Sequence, residues 1–182
     1  MIPVPRSCVG ALILTLGAAP APLSAQSDFS LPELARWFED EAPTLATSTG
    51  DPTATGNLRM VDYVARATLA LEGCTLRITI KDNAGVSGFT VTTEVPLAAV
   101  NGDSVRMVSR PDGWHDFLYI PGQYFVVVPA RVPGDWPFVT TTSRGSSKAY
   151  LTSVPSRSPD AGATLATAIT RAAALCATKT AD

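Results

Sequence analysis

Short runs in which apolar and polar residues alternate constrain the fold of this chain more than any other feature. In the clearest run, Cys74, Leu76, Ile78 and Ile80 take the even positions and polar residues take the odd ones. Successive side chains of a strand point to opposite faces, so this period of two predicts a half-buried strand with Cys74 on the core side. By similar patterns and turn signals, further strands are predicted within 61–71, 89–95, 105–110, 117–120, 124–128, 138–142 and 150–154.

A capping box predicts a short helix near the N-terminus. Ser30 is followed three positions later by Glu33, and Phe29 and Leu34 take the positions of a hydrophobic staple. Pro43 limits the helix, because the residue before a proline is disfavoured in the α conformation. We therefore expect about three turns, stabilised by docking an apolar stripe on the rest of the protein.

A longer helix is predicted at the C-terminus. Ser158 is a favourable cap, Pro159 suits the first turn, and Asp160 lies near the positive end of the helix dipole. The residues that share one face of this helix, at steps of four, three and four, are Leu165, Ile169, Ala172 and Cys176. Cys176 is therefore also predicted to face the core.

These elements predict an α+β fold: a short N-terminal helix, a bent antiparallel sheet of about six strands, and a C-terminal helix packed on the sheet. The spacing between strands is too short for parallel crossovers. The order of elements is similar to the pleckstrin-homology-like arrangement, a resemblance that covers element order and no motif. Residues 46–57 lack large apolar side chains, so we assign 26–57 to a short helix and flexible linker and 58–182 to a single domain.

The first 25 residues have the pattern of a secretory signal peptide. Arg6 precedes an apolar run from Cys8 to Leu16, and small residues end the segment at Ala25. The run is too short to cross a bilayer, which takes about 20 apolar residues. We predict cleavage after Ala25, an exported protein in the periplasm or outside the cell, and no transmembrane span in the mature chain.

Export makes the remaining cysteines informative. Cys8 leaves with the signal, so the mature chain keeps Cys74 and Cys176, in a compartment where disulfides persist. Both cysteines are predicted to face the core. A disulfide between them is therefore the leading interpretation, with two free thiols or a cross-link between chains as the alternatives.

Composition excludes several classes of function. The chain has 14 Lys and Arg against 16 Asp and Glu, which gives no basic surface for a nucleic acid. One His and two usable Cys argue against a zinc site, which takes three or four such ligands. We therefore expect no metal, no cofactor and no nucleic-acid partner.

Known catalytic motifs are absent from the sequence, including the nucleophile elbow, the P-loop and H-E-x-x-H. The densest chemical stretch contains Asp112, His115 and Asp116, from which a small hydrolase could be built. Adjacent strand residues point to opposite faces, however, and no third partner is specified. A polar turn held to the core by Trp114 is the simpler interpretation.

Aromatic residues provide a candidate binding surface. They lie in or beside the loops that bracket the predicted 117–128 hairpin, and together with His115 the candidate residues are Trp114, Tyr119, Tyr124 and Trp136. The alternative is that they fill the protein's own core. We expect an exported, non-enzymatic module that binds an unknown protein or a small apolar ligand, with a small hydrolase or a structural component of an envelope assembly as alternatives.

Overall fold

The computed structural model describes residues 29–49, 64–82, 89–109, 124–132 and 134–179. It confirms the predicted α+β class, with a short helix first and a long helix last. In chain order the elements are α1 (Leu31–Asp40), α2 (Ala42–Leu45), β1 (Thr47–Thr49), β2 (Val64–Glu72), β3 (Thr75–Asp82), β4 (Phe89–Pro96), two 3-10 helices (Leu97–Ala99 and Gly102–Ser104), β5 (Arg106–Ser109), β6 (Tyr124–Pro129), β7 (Phe138–Thr142), β8 (Gly145–Ala149), β9 (Leu151–Ser156) and α3 (Pro159–Lys179).

The strands of the described residues form two antiparallel sheets, where the sequence predicted one bent sheet of about six strands. The first sheet has the order β1-β2-β3-β4-β7-β8 and the second has the order β5-β6-β9. The β7–β8 hairpin lies between β6 and β9 in the chain yet joins the first sheet. Alternation and turn signals identify strands, but they do not say which sheet a strand enters.

The second sheet also changes the pairing predicted for β6. Both edges of β6 are paired, with β5 on one side and β9 on the other. The sequence predicted a hairpin between 124–128 and 117–120, and the latter residues lie outside the described part of the chain. The strand at 150–154 was predicted to be the last one, and β9 confirms it.

The meander β2–β3–β4 has the predicted alternation. Its inward residues are buried over the half of the sheet nearest the β2–β3 turn, where Gly73 adopts a positive φ of 59°. These buried residues are Leu69, Leu71, Leu76, Ile78 and Val95. On the outer face, the register aligns a row of hydroxyl side chains across five strands: Thr68, Thr79, Thr92, Thr141 and Ser146.

Helix α1 begins as the capping box predicts. The Glu33 carboxylate accepts the backbone N–H of Ser30 at 2.8 Å and the Ser30 hydroxyl at 2.6 Å. These two hydrogen bonds, the hydroxyl first, lower the pKa of Glu33. Leu34, Trp37 and Phe38 are buried, so the helix is part of the core.

The segment assigned to a flexible linker contains structure at its start. Thr47–Thr49 form β1, which pairs with β2 at the edge of the first sheet. The backbone N–H of Ala67 also donates to the carbonyl of Ala46 at 2.8 Å. The linker prediction is therefore wrong for Thr47–Thr49, because backbone pairing orders a stretch that has no large apolar side chains. Residues 50–57 lie outside the described range, and the domain boundary near 58 stays a prediction.

Helix α3 and the disulfide join the two sheets. The Ser158 hydroxyl accepts the N–H of Ala161 at 3.2 Å, and the helix packs on β5, β6 and β9. All four residues of the predicted apolar face are buried, including Cys176. Cys176 is bonded to Cys74, with the two Cα atoms 5.6 Å apart. Because Cys74 lies in the turn before β3, the bond connects the helix on the second sheet to the first sheet.

The predicted signal peptide, residues 1–25, lies outside the described residues and stays a prediction. Within the described ranges, no helix combines the length and the apolar character that crossing a bilayer requires.

Candidate functional site

A cleft separates the two sheets at the end of the molecule opposite the β2–β3 turn. Here the inward residues of the first sheet face the second sheet instead of the helices. The cavity has a volume of about 320 Å³. The described residues that line it are Ala65, Ile80, Val91, Thr93, Phe125, Thr140, Leu151, Thr152, Ser153 and Pro155.

The walls of the cleft are apolar. The first sheet provides Ile80 and Val91, which lie opposite each other on β3 and β4. The second sheet provides Phe125 and Pro155, which are paired on β6 and β9. Ile80, Val91 and Phe125 are only partly buried, so apolar surface is accessible from within the cleft.

Hydroxyl groups supply the polar character of the cleft. Thr93 is a polar residue at an inward position between Val91 and Val95, and it is only 4% exposed. Its hydroxyl lies 3.2 Å from that of Thr140 on the neighbouring strand β7. Each hydroxyl has one donor and two acceptor sites, so the pair satisfies itself only in part and retains capacity for a ligand.

No ionisable side chain occurs among the described residues that line the cleft. A Ser or Thr hydroxyl needs an adjacent base to become a nucleophile, and none of these lining residues is one. Glu33, the described group with a lowered pKa, lies at the start of α1, outside this lining.

Three of the five binding residues predicted from sequence lie outside the described residues: Trp114, His115 and Tyr119. The same holds for Asp112 and Asp116 of the alternative hydrolase site. Their roles stay predictions.

The other two predicted binding residues are described, and neither lines the cleft. Tyr124 is the first residue of β6 and is partly buried. Tyr124 directly precedes the cleft residue Phe125, so its side chain points to the opposite face of the strand. Trp136 is half-exposed and packs edge-to-face on Tyr150, with ring centroids 5.1 Å apart. The structure thus places Tyr124 and Trp136 outside the wall formed by Phe125 and Pro155.

Sequence reasoning missed the cleft residues, although one signal was present. Thr93 sits at an inward position of a strand whose other inward members include Val91 and Val95. A hydroxyl at a core-facing position needs a hydrogen-bonding partner, so it indicates a buried hydroxyl pair or a ligand-binding site. Thr140 and Leu151 carried no such signal, because their role depends on how β7 and β9 are placed.

A metal site is not formed by the residues that the structure describes. Among them, no group of three or more His, Cys, Asp or Glu side chains is arranged to hold an ion.

Comparison with known proteins identifies no relative. No protein-family model, curated protein or solved structure matches this chain.

Proposed function

We propose that this protein is an exported, non-catalytic binding module that holds a small, uncharged, largely apolar ligand in the cleft between its two sheets. The observation that carries the proposal is the lining of the cleft: apolar side chains from both sheets beside hydroxyl side chains, among them the pair of buried Thr93 and partly buried Thr140.

The size of the cleft suits a small molecule. Ligand pockets are typically about 300 to 1,000 Å³, and 320 Å³ lies at the lower end of that range. A ligand of one or two rings, or a short acyl chain, fits this volume better than a peptide does.

The chemistry of the lining selects the ligand's polarity. A charged group would enter the cleft without a partner of opposite charge among the described lining residues, and burying an unpaired charge is strongly unfavourable. A single hydroxyl or carbonyl on the ligand would instead meet Thr93 and Thr140. The preferred ligand is therefore neutral, with one hydrogen-bonding group on an apolar body.

The disulfide supports the exported setting of this proposal. Disulfides form and persist in oxidising compartments and are rare in reducing ones. The Cys74–Cys176 bond is consistent with the signal peptide predicted at residues 1–25.

Methyl NMR of the oxidised mature protein tests the binding site. We expect 1-naphthol and 1-octanol, two neutral apolar probes with one hydroxyl each, to shift the methyl signals of Ile80, Val91 and Leu151 saturably. A methyl group of the packed core, such as that of Leu76, should shift little.

Two neighbouring residues of β7 provide matched variants. Thr140→Phe fills the cleft and should abolish the shifts, whereas Thr141→Phe points to the outer face and should leave them unchanged. The proposal fails if neither probe produces saturable shifts at Ile80 and Leu151, or if the two variants bind equally.

A further inference from the structure

In the part of the chain that the structure describes, the exposed large apolar side chains lie in one stretch. Among the described residues, the large hydrophobic side chains that are exposed all lie between Val132 and Leu151. Single exposed hydrophobic residues are ordinary, whereas a cluster indicates an interaction surface. The cluster consists of Val132, Trp136, Val139, Tyr150 and Leu151.

Contacts bring the parts of this stretch together. Trp136 and Tyr150 are each about half exposed, and their rings touch edge-to-face. The N–H of Ala130 donates to the carbonyl of Tyr150 at 2.8 Å, which holds the loop after β6 beside Tyr150. Val139 lies directly opposite Lys148 in the β7–β8 hairpin. We call the surface formed by Arg131, Val132, Trp136, Val139, Lys148 and Tyr150 the aromatic face.

The charge of this region differs from that of the whole chain. Residues 131–151 contain Arg131, Arg144 and Lys148 against one acid, Asp135, a net charge of 3 − 1 = +2, whereas the whole chain has −2. The Asp135 carboxylate accepts the N–H of Trp136 at 2.9 Å. A group of exposed acids lies instead near the end of α1, at Glu39, Asp40 and Glu41. Arg131 and Lys148 are exposed and lie near Tyr150, whereas Glu94 of β4 lies opposite Val139 on the same outer face and is contacted by Arg77 at 3.4 Å.

We propose that the aromatic face binds the surface of an anionic lipid bilayer. Trp136 and Tyr150 would lie at headgroup level, where the amphipathic rings of Trp and Tyr are favoured, and Arg131 and Lys148 would lie over the lipid phosphates. The composition of the chain as a whole carries no polybasic signal, so the basic residues of this surface stand out only locally.

The form of the surface favours a bilayer over an acidic protein. The side chains stand on a turn and a hairpin, and Val132, Trp136 and Tyr150 do not line the cleft that could receive a partner's side chain. Membrane-surface binding takes apolar side chains beside basic ones and needs no shape-matched groove. This proposal goes beyond the ligand cleft and does not depend on it.

Vesicle co-sedimentation of the oxidised mature protein provides the test. We expect binding to vesicles that contain phosphatidylglycerol, weaker binding to pure phosphatidylcholine, and a decrease with added salt. The double variant Trp136→Ala with Tyr150→Ala should lose at least roughly tenfold in partitioning, because it removes the apolar rings that insert. Both side chains are half exposed, and a thermal melt verifies that the variant is folded.

Charge variants sharpen the test. Lys148→Ala should weaken partitioning about fivefold, the value for one basic residue near an anionic surface. Arg36→Ala removes an exposed positive charge from α1 and should have little effect. Asp135→Asn keeps an oxygen that can accept the Trp136 N–H and removes the negative charge, so it should strengthen binding.

Two outcomes would overturn the proposal. One is equal vesicle binding by the wild type and the folded aromatic double variant. The other is retention on immobilised poly-glutamate, with the same dependence on Lys148, without binding to phosphatidylglycerol vesicles, which would identify an acidic protein as the partner. Thr140→Phe should leave vesicle binding unchanged, so failure of the cleft and failure of the aromatic face are distinguishable.

Discussion

The two ends of the inner face of the first sheet have the same alternating sequence pattern but differ in how fully their large side chains are covered. At the end near the β2–β3 turn, Leu76 and Ile78 are buried with α1 in one core. At the other end, Ile80 and Val91 face the second sheet across a cleft. The comparison teaches that alternation determines which way a side chain points, whereas the element opposite it determines whether the side chain is covered.

The largest expected effect comes from truncating the packed end. Ile78 is 1% exposed, so Ile78→Ala removes buried methyl groups, leaves a cavity, and should lower the free energy of unfolding by about 2 to 5 kcal/mol. Ile80→Ala, two positions along the same strand and on the same face, should cost well under half as much, because its side chain already borders a cavity. Urea unfolding of both variants measures the difference. Equal losses would mean that the two ends do not differ.

Removing the disulfide should destabilise the packed end selectively. The bond closes a separation of 102 positions, and a disulfide of this kind typically contributes about 2 to 4 kcal/mol. In the variant Cys74→Ala with Cys176→Ala, hydrogen exchange should accelerate first in the last turns of α3, before the β2–β3–β4 meander. Reductant should reproduce this effect in the wild type and change nothing in the variant. Uniform acceleration across the protein would show that the bond does not act locally.

Close packing of α3 on the second sheet gives an intermediate effect. A Cβ at Gly162 would overlap the Met107 side chain, so Gly162→Ala should cost about 1 to 3 kcal/mol despite the better helix propensity of Ala. Adding Met107→Ala should recover part of the loss, as thermal melts of the single and double variants would reveal. A Gly162→Ala variant as stable as the wild type would contradict this contact.

The hydroxyl pair at the cleft end should matter little for stability and more for binding. Thr93→Val leaves the partly exposed Thr140 hydroxyl able to bond to water, so we expect a loss of about 1 kcal/mol or less. Affinity for 1-naphthol should fall several-fold, whereas binding of naphthalene, which has no hydroxyl, should be unchanged. Calorimetric titration with both compounds separates the two effects. Equal loss for both compounds would argue that Thr93 acts only through the shape of the cleft.

The smallest expected effect is the loss of the stability that Glu33 gives to α1 when the pH is lowered. The Ser30 hydroxyl and N–H lower the pKa of Glu33 below its usual 4.5. A depressed carboxyl pKa stabilises the fold above the unfolded value, and this contribution is lost as pH falls below 4.5 and through the lower folded value. The Tm of the wild type should therefore fall more between pH 7 and pH 3 than that of Glu33→Gln. Parallel curves for the two proteins would exclude this role.

Much of the local structure follows from the sequence because its causes are local. The Ser30–Glu33 capping box, the alternation from Leu76 to Ile80 and the Ser158 cap each depend on residues within a few positions of one another. The Cys74–Cys176 bond was also predictable, since two independent periodicities aim both residues inward and only two cysteines follow the predicted signal peptide.

The tertiary structure decided what these patterns could not. The pairing of Thr47–Thr49 with β2 depends on backbone hydrogen bonds to a distant strand, and no pattern of side chains in the sequence predicts it. Strands β7 and β8 pair in the first sheet, so β9 pairs with β6 in the second sheet. As a result Thr140 lies beside Thr93, and Leu151 lines the cleft. The sequence by itself thus determined where the strands and helices lie and which way their side chains face. The division into two sheets and the cleft between them arise from contacts between residues far apart in the chain, because any pairing that buries the same inward faces satisfies the same alternating pattern.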